Sequence, residues 1–133
     1  MNRTILVDTS AWICSFKKRG YERIKEVISQ GLDNNIITTS GLIIFEILQG
    51  AKDVKEYERL KDYFSSLQYL SFPEFMWAKA SNLSYNLLRK GITVPSTDLF
   101  IATVAIENNC LLLNNDRHFK IIEEHTTLKT FSL

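Results

Sequence analysis

Asp8, Glu46, Asp98 and Asp116 are the residues whose type and placing could do chemistry in this chain. Each interrupts or ends an apolar segment, where an ionised carboxylate is expensive unless it is paired or bound to a cation. If the four meet, their mutual repulsion raises their pKa values and demands a counter-charge. A hard divalent ion supplies it, and carboxylate oxygens with water select Mg²⁺ or Mn²⁺ over thiolate-loving or imidazole-loving metals. The chemistry typical of such a site is phosphodiester hydrolysis. No side chain stands out as a dedicated nucleophile, which fits attack by water.

Each acid also has an ordinary explanation. Asp8 directly follows the apolar run Thr4-Ile5-Leu6-Val7 and alone reads as a turn residue. Asp116 lies just beyond Cys110–Leu113 and alone reads as a helix cap. Asp98, in the first turn of an apolar helix, is favoured there by the helix dipole. Glu46 is the most diagnostic, because Leu42-Ile43-Ile44-Phe45-Glu46-Ile47-Leu48 is apolar almost all round and is expected to be buried. Its ordinary explanation is a salt bridge to a distant Lys or Arg. None of these readings accounts for four acids at one rim.

The elements that must position them alternate. Residues 4–7, Ile36-Ile37-Thr38 and Cys110–Leu113 are continuous apolar runs, expected as strands buried on both faces of a parallel sheet. Gln68–Phe72 and Leu128–Phe131 alternate and suit edge strands. Helices are expected over Tyr21–Gln30, closed by a left-handed Gly31, and from about 41 to 49, with Ser40 as cap and Gly50 as stop. Residues 54–67 place Val54, Tyr57, Leu60, Phe64 and Leu67 on one face. Ser71 and Glu74 have capping-box spacing for a long helix ending at Gly91, with a core stripe of Trp77, Ala80, Ser84, Leu87 and Leu88. A helix from Ser96 or Thr97 to about Asn108 and a short one from about 117 to 124 complete the chain. The alternation implies an α/β three-layer sandwich around a mainly parallel sheet. In such sheets the site lies beyond the carboxyl ends of the strands, where the strand order reverses.

The 133 residues are expected to form one domain over 1–133. Apolar residues make up 45% and charged residues 23%, an ordinary globular balance. No stretch approaches the length of a membrane span or has the form of a signal peptide, so a cytoplasmic protein is expected. Cys14 and Cys110, far apart and without CxxC spacing, read as buried free thiols. A formal charge of +1 neither announces nor excludes a nucleic-acid partner. If the acids gather on a cation, the remaining surface is more basic than the total suggests.

The same residues carry a family resemblance. Leu6-Val7-Asp8-Thr9-Ser10-Ala11-Trp12, Glu46-Ile47-Leu48-Gln49-Gly50, Thr97-Asp98-Leu99-Phe100-Ile101-Ala102 and Leu112-Leu113-Asn114-Asn115-Asp116-Arg117-His118-Phe119 resemble, in order and spacing, the successive motifs of the PIN-domain nucleases. Size and the lack of appended domains resemble the VapC toxins of toxin–antitoxin pairs. The resemblance implies a five-stranded PIN-like sheet of order 3-2-1-4-5 and Mg²⁺- or Mn²⁺-dependent endoribonuclease activity on RNA. It further implies a homodimer and a cognate antitoxin. It matches Asp8, Glu46, Asp98 and Asp116 to the family's acidic positions, with Ser10 or Thr9 as the nearby hydroxyl. Asn114 departs from the usual Thr or Ser, although its amide can still bond the neighbouring acids. As a working mechanism, Asp8, Asp98 and Asp116 ligate metal while Glu46 ligates or helps deprotonate the attacking water.

The remaining polar residues have mostly ordinary readings. Arg117 and His118 read as solvated helix-start residues, with an approach to RNA phosphate as the alternative. Lys17-Lys18-Arg19 reads as a solvated loop that can also clamp phosphate. Trp12 is expected to pack locally rather than stack on a base, and Tyr63 to project outward. Phosphotransfer folds are disfavoured, since a haloacid-dehalogenase pattern wants Asp where Ser10 stands. Nucleotide-binding loops are absent. The alternative of a different class is a PIN-like module that binds RNA or protein without cutting.

Overall fold

The computed structural model describes residues 3–133; residues 1 and 2 of the expected domain lie outside them. Five strands, β1 (Ile5–Val7), β2 (Ile37–Ser40), β3 (Gln68–Leu70), β4 (Leu111–Leu113) and β5 (Lys129–Thr130), pair in the order β3-β2-β1-β4-β5. Every pairing is parallel, with Ile5 opposite both Ile37 and Leu111. Among the described residues seven helices are interleaved: α1 (Thr9–Ser15), α2 (Glu22–Asp33), α3 (Gly41–Gln49), α4 (Val54–Ser65), α5 (Glu74–Arg89), α6 (Ser96–Glu107) and α7 (Arg117–His125).

Side chains alternate between the faces of a strand, so a strand buried at every position must be covered on both sides. All of β1 and β2 is buried, as are Leu112 and Leu113 of β4. The apolar runs therefore mark the central strands, and the alternating segments are the two edges. β1 is the pivot: the chain adds β2 and β3 on one side and β4 and β5 on the other. The order reverses between β1 and β4, where the Asp8 N–H donates to Leu113 O at 2.9 Å.

Several expectations change. Gly31 does not end α2 but lies buried inside it, where a Cβ would collide with the Ile37 side chain. The left-handed position falls instead on Asn35 (φ 57°), whose short polar side chain tolerates it. Gly91 does adopt a left-handed φ of 78° just past α5. The core face of α5 is Met76, Ala80 and Leu87: Ala80 and Leu87 fall in the expected stripe, and Met76 takes the place expected for Trp77. Trp77 and Leu88 are exposed, and Trp77 packs edge-on against Phe72 and Phe100. The α5 N-cap is Pro73, with no side-chain cap, so the Ser71–Glu74 box does not form. Ser40 likewise makes no side-chain cap on α3. On α4, Leu60 and Phe64 are buried while Val54 and Tyr57 point outward. Among the described residues, no helix is long and apolar enough to cross a membrane.

Candidate functional site

The carboxyl rim of the sheet, at the β1/β4 reversal, receives residues from four elements. β1 ends at Val7, and Asp8 becomes the N-cap of α1, its Oδ2 accepting from the Ser10 N–H at 3.0 Å. β4 ends at Leu113, and three residues later Asp116 caps α7, its Oδ1 accepting from the His118 N–H at 2.9 Å. Asp98 is the third residue of α6. Glu46 projects from α3, which follows β2 directly. Capping therefore explains where Asp8 and Asp116 sit. It engages only one oxygen of each carboxylate.

Two hydroxyls hold two different acids. Ser10 Oγ donates to Asp8 Oδ2 at 2.5 Å and accepts from the Asn115 N–H at 2.9 Å, tying the loop after β1 to the loop after β4. Thr9 Oγ1 donates to Glu46 Oε1 at 2.6 Å. Asn114 acts on the backbone instead of on a carboxylate: its Oδ1 accepts from the Asp116 N–H at 3.1 Å, which shapes the turn that aims Asp116. Asn115 reaches the Cys14 thiol from the same turn. Asp8, not Ser10, caps α1, and Ser10 is left free to support that acid's side chain.

Burial and charge link the four acids unequally. Asp8 is 4% exposed, and burial pushes its carboxyl above the ordinary range. Hydrogen bonds from the Ser10 side chain and main chain oppose the rise, while the charge of Glu46 adds to it. Asp98 is 9% exposed and its carboxyl is pushed up to about 6, first by burial, then by the negative charges of Asp116 and Asp8. His118 opposes that rise. The acids thus form a connected negative patch, Glu46 to Asp8 to Asp98 to Asp116. Its tightest part is Asp98, Asp116 and His118, whose donor atoms all lie within 4.8 Å of one another. Asp8 and Glu46 stand outside that group.

The free atoms suit a cation. Asp98 Oδ2 is shielded from solvent and has no hydrogen-bond partner, and His118 Nδ1 beside it is orphaned too. An unsatisfied buried carboxylate oxygen among like charges is a costly arrangement that a hard cation relieves. Carboxylate oxygens dominate the donor set, as Mg²⁺ and Mn²⁺ require.

Two sequence expectations are corrected. Helix α3 is not buried all round: Ile43 and Ile47 face the core, Phe45 is 60% exposed and Glu46 is only half-buried. The cost argument that made Glu46 diagnostic therefore fails within one chain, and what ties Glu46 to the site is its bond from Thr9. His118, expected as a solvated helix-start residue, instead lies 3.0 Å from Asp98 Oδ2 and 3.0 Å from Asp116 Oδ1. The signal that could have found it is the Asp-x-His spacing across a helix N-cap, which puts both side chains in one turn. Lys17, Lys18 and Arg19 are exposed and pair with no acid among the described residues. Trp12 is buried and packs on Phe16, Tyr63 and Phe64, as local packing requires.

Comparison with known proteins agrees with this fold. The PIN domain family model matches residues 5–124. Ribonuclease VapC1 of Methanocaldococcus jannaschii is 30% identical over 121 residues, covering 90% of this chain and 82% of the relative. Ribonuclease VapC11 of Mycobacterium tuberculosis is 29% identical over 133 residues, covering 96% and 98%. Among solved structures, VapBC2 from Rickettsia felis bound to a DNA fragment from their promoter shares the fold, with TM-score 0.78 at 21% identity over 98% of each chain.

Proposed function

The chain belongs to the PIN-domain family, and on that premise we propose that it is a metal-dependent endoribonuclease, the toxin of a toxin–antitoxin pair. The observation that carries the reading is the buried, unpartnered Asp98 carboxylate oxygen within a connected patch of four acids at the β1/β4 reversal. Curated relatives aligned along most of the chain are ribonucleases by name, which supports RNA as the substrate. Residues 1–133 are read as one PIN-like domain.

In this reading Asp8, Asp98 and Asp116 hold Mg²⁺ or Mn²⁺. When bound, the cation supplies an acidified water, a grip on the phosphate and stabilisation of the leaving oxygen. The protein's contribution is placement. Ser10 fixes the Asp8 carboxylate and locks it to the Asn115 turn. Thr9 holds one oxygen of Glu46, leaving the other able to take a proton from the attacking water. Asn114 sets the turn that presents Asp116.

A cognate antitoxin is the proposed partner, because the fold neighbour from Rickettsia felis is described as a VapBC assembly. A homodimer is proposed as well: Phe45 and the Phe72–Trp77–Phe100 cluster leave an apolar surface for a second copy. The free thiols Cys14 and Cys110 suit the reducing cytoplasm. The test is incubation of purified protein with cellular RNA in Mg²⁺, in Mn²⁺ and in EDTA. Cleavage with either cation and none in EDTA is expected. RNA that is bound but uncut in every cation would replace this reading with a non-catalytic binding module.

A further inference from the structure

The imidazole of His118 faces the acids. Its Nδ1 stands 3.0 Å from Asp98 Oδ2 and 3.0 Å from Asp116 Oδ1, yet neither contact has the alignment of a ring N–H bond. A counter-ion histidine would aim its N–H along one of those directions. The separations fit another arrangement. Around an octahedral ion with bonds of 2.0–2.1 Å, adjacent ligand atoms stand √2 times that length apart, about 3 Å. The main chain supplies the register: the His118 N–H is the donor that Asp116 Oδ1 caps, so the cap itself fixes the imidazole beside the acid.

We propose that His118 Nδ1 is a direct ligand of the cation held by Asp98 and Asp116, making a mixed nitrogen–oxygen site that favours Mn²⁺ over Mg²⁺. The inference rests on the metal-dependent reading above and adds a ligand that a four-carboxylate site lacks. Mg²⁺ holds its waters and prefers oxygen, whereas imidazole nitrogen is a better ligand for transition ions. A nitrogen donor in place of a water therefore moves the site toward Mn²⁺. Ligation requires the neutral ring with its proton on Nε2.

The test is pulsed electron paramagnetic resonance of the full-length protein with one equivalent of Mn²⁺. The wild type should show the modulation of a directly coordinated ¹⁴N, replaced by the ¹⁵N pattern when histidine is ¹⁵N-labelled. His118 and His125 are the two histidines; the signal should survive His125→Gln and vanish in His118→Asn. Losing a residue that supports a metal site costs about 10–100-fold in affinity, so Mn²⁺ binding should fall at least about tenfold in His118→Asn, and Mg²⁺ binding by less. The labelled wild type gives its answer whether or not either variant folds. Bound Mn²⁺ without histidine coupling would overturn the ligand assignment and leave the nuclease reading standing. Wild-type protein whose Mn²⁺ affinity matches that of Asp98→Asn would overturn both.

Discussion

Replacing Asp98 by Asn should stabilise the metal-free protein while removing its affinity for the cation. The carboxyl and the amide have nearly the same shape, so the change is one of charge. Burial, then the charges of Asp116 and Asp8, move the Asp98 carboxyl from 3.8 up to about 6. Ionising it in the folded chain therefore costs about 3 kcal/mol at most relative to the unfolded chain, at 1.36 kcal/mol per tenfold change. Because the folded value is the raised one, the penalty is complete above pH 6 and is relieved as the pH falls toward 3.8. In EDTA, urea denaturation should show Asp98→Asn more stable than wild type by about 1–3 kcal/mol at pH 7.5, with roughly half of that gain left at pH 5. Saturating Mn²⁺ should close the gap from the other side. A ligand at 100 times its dissociation constant adds about 2.7 kcal/mol to the wild type, and little to the variant. A variant less stable than wild type in EDTA at pH 7.5, or a gain that grows on acidification, would show that the folded chain does not penalise the Asp98 charge.

Ser10→Ala should cost about 1 kcal/mol of stability by leaving the Asn115 N–H without its acceptor, read by denaturation. It should also slow RNA cleavage about tenfold or more, as loss of support for a ligating acid does. Thr9→Val should leave the fold intact and slow cleavage about tenfold, because Glu46 loses the bond that orients it; unchanged rates would remove Glu46 from the machinery. Gly31→Ala should destabilise by about 1–3 kcal/mol, since the new methyl meets the Ile37 side chain, and a variant as stable as wild type by urea denaturation would show that α2 can shift away from β2.

The central sheet was legible because full burial removes polar alternation: Ile5–Val7 and Leu112–Leu113 are apolar for the same reason that they are central. Asp8 and Asp116 were legible because they follow those strands directly. Less was readable where two faces are similarly apolar. Along α5, neighbouring positions differ by about 100°, and both Met76 and Trp77 qualify as core by type. Tertiary packing turns Met76 in and lets Trp77 close over Phe72 and Phe100. Gly31 illustrates a related ambiguity, since glycine serves both as a left-handed cap and as the seat of a close helix–strand approach. For Glu46 the physical half of the expectation, beside the family resemblance, was a burial that one chain does not provide, and the bond from Thr9 is what local sequence could not reveal. His118 was hidden because a histidine in the first turn of a helix is ordinarily solvated, and only the meeting of α6 with the α7 cap brings it to Asp98.

The proposed function requires the acids to act as one cation site that cuts RNA. The most direct measurement compares cleavage of one defined RNA by wild type and by Asp8→Asn, each in Mn²⁺ and in EDTA, with both proteins matched for secondary structure and melting temperature. Cation-dependent cleavage by the wild type is expected, with a loss of about 100-fold or more in Asp8→Asn, as removal of a direct ligand should cost at least what removal of a supporting residue does. An Asp8→Asn protein that cleaves at the wild-type rate, or wild-type cleavage that persists in EDTA, would contradict it.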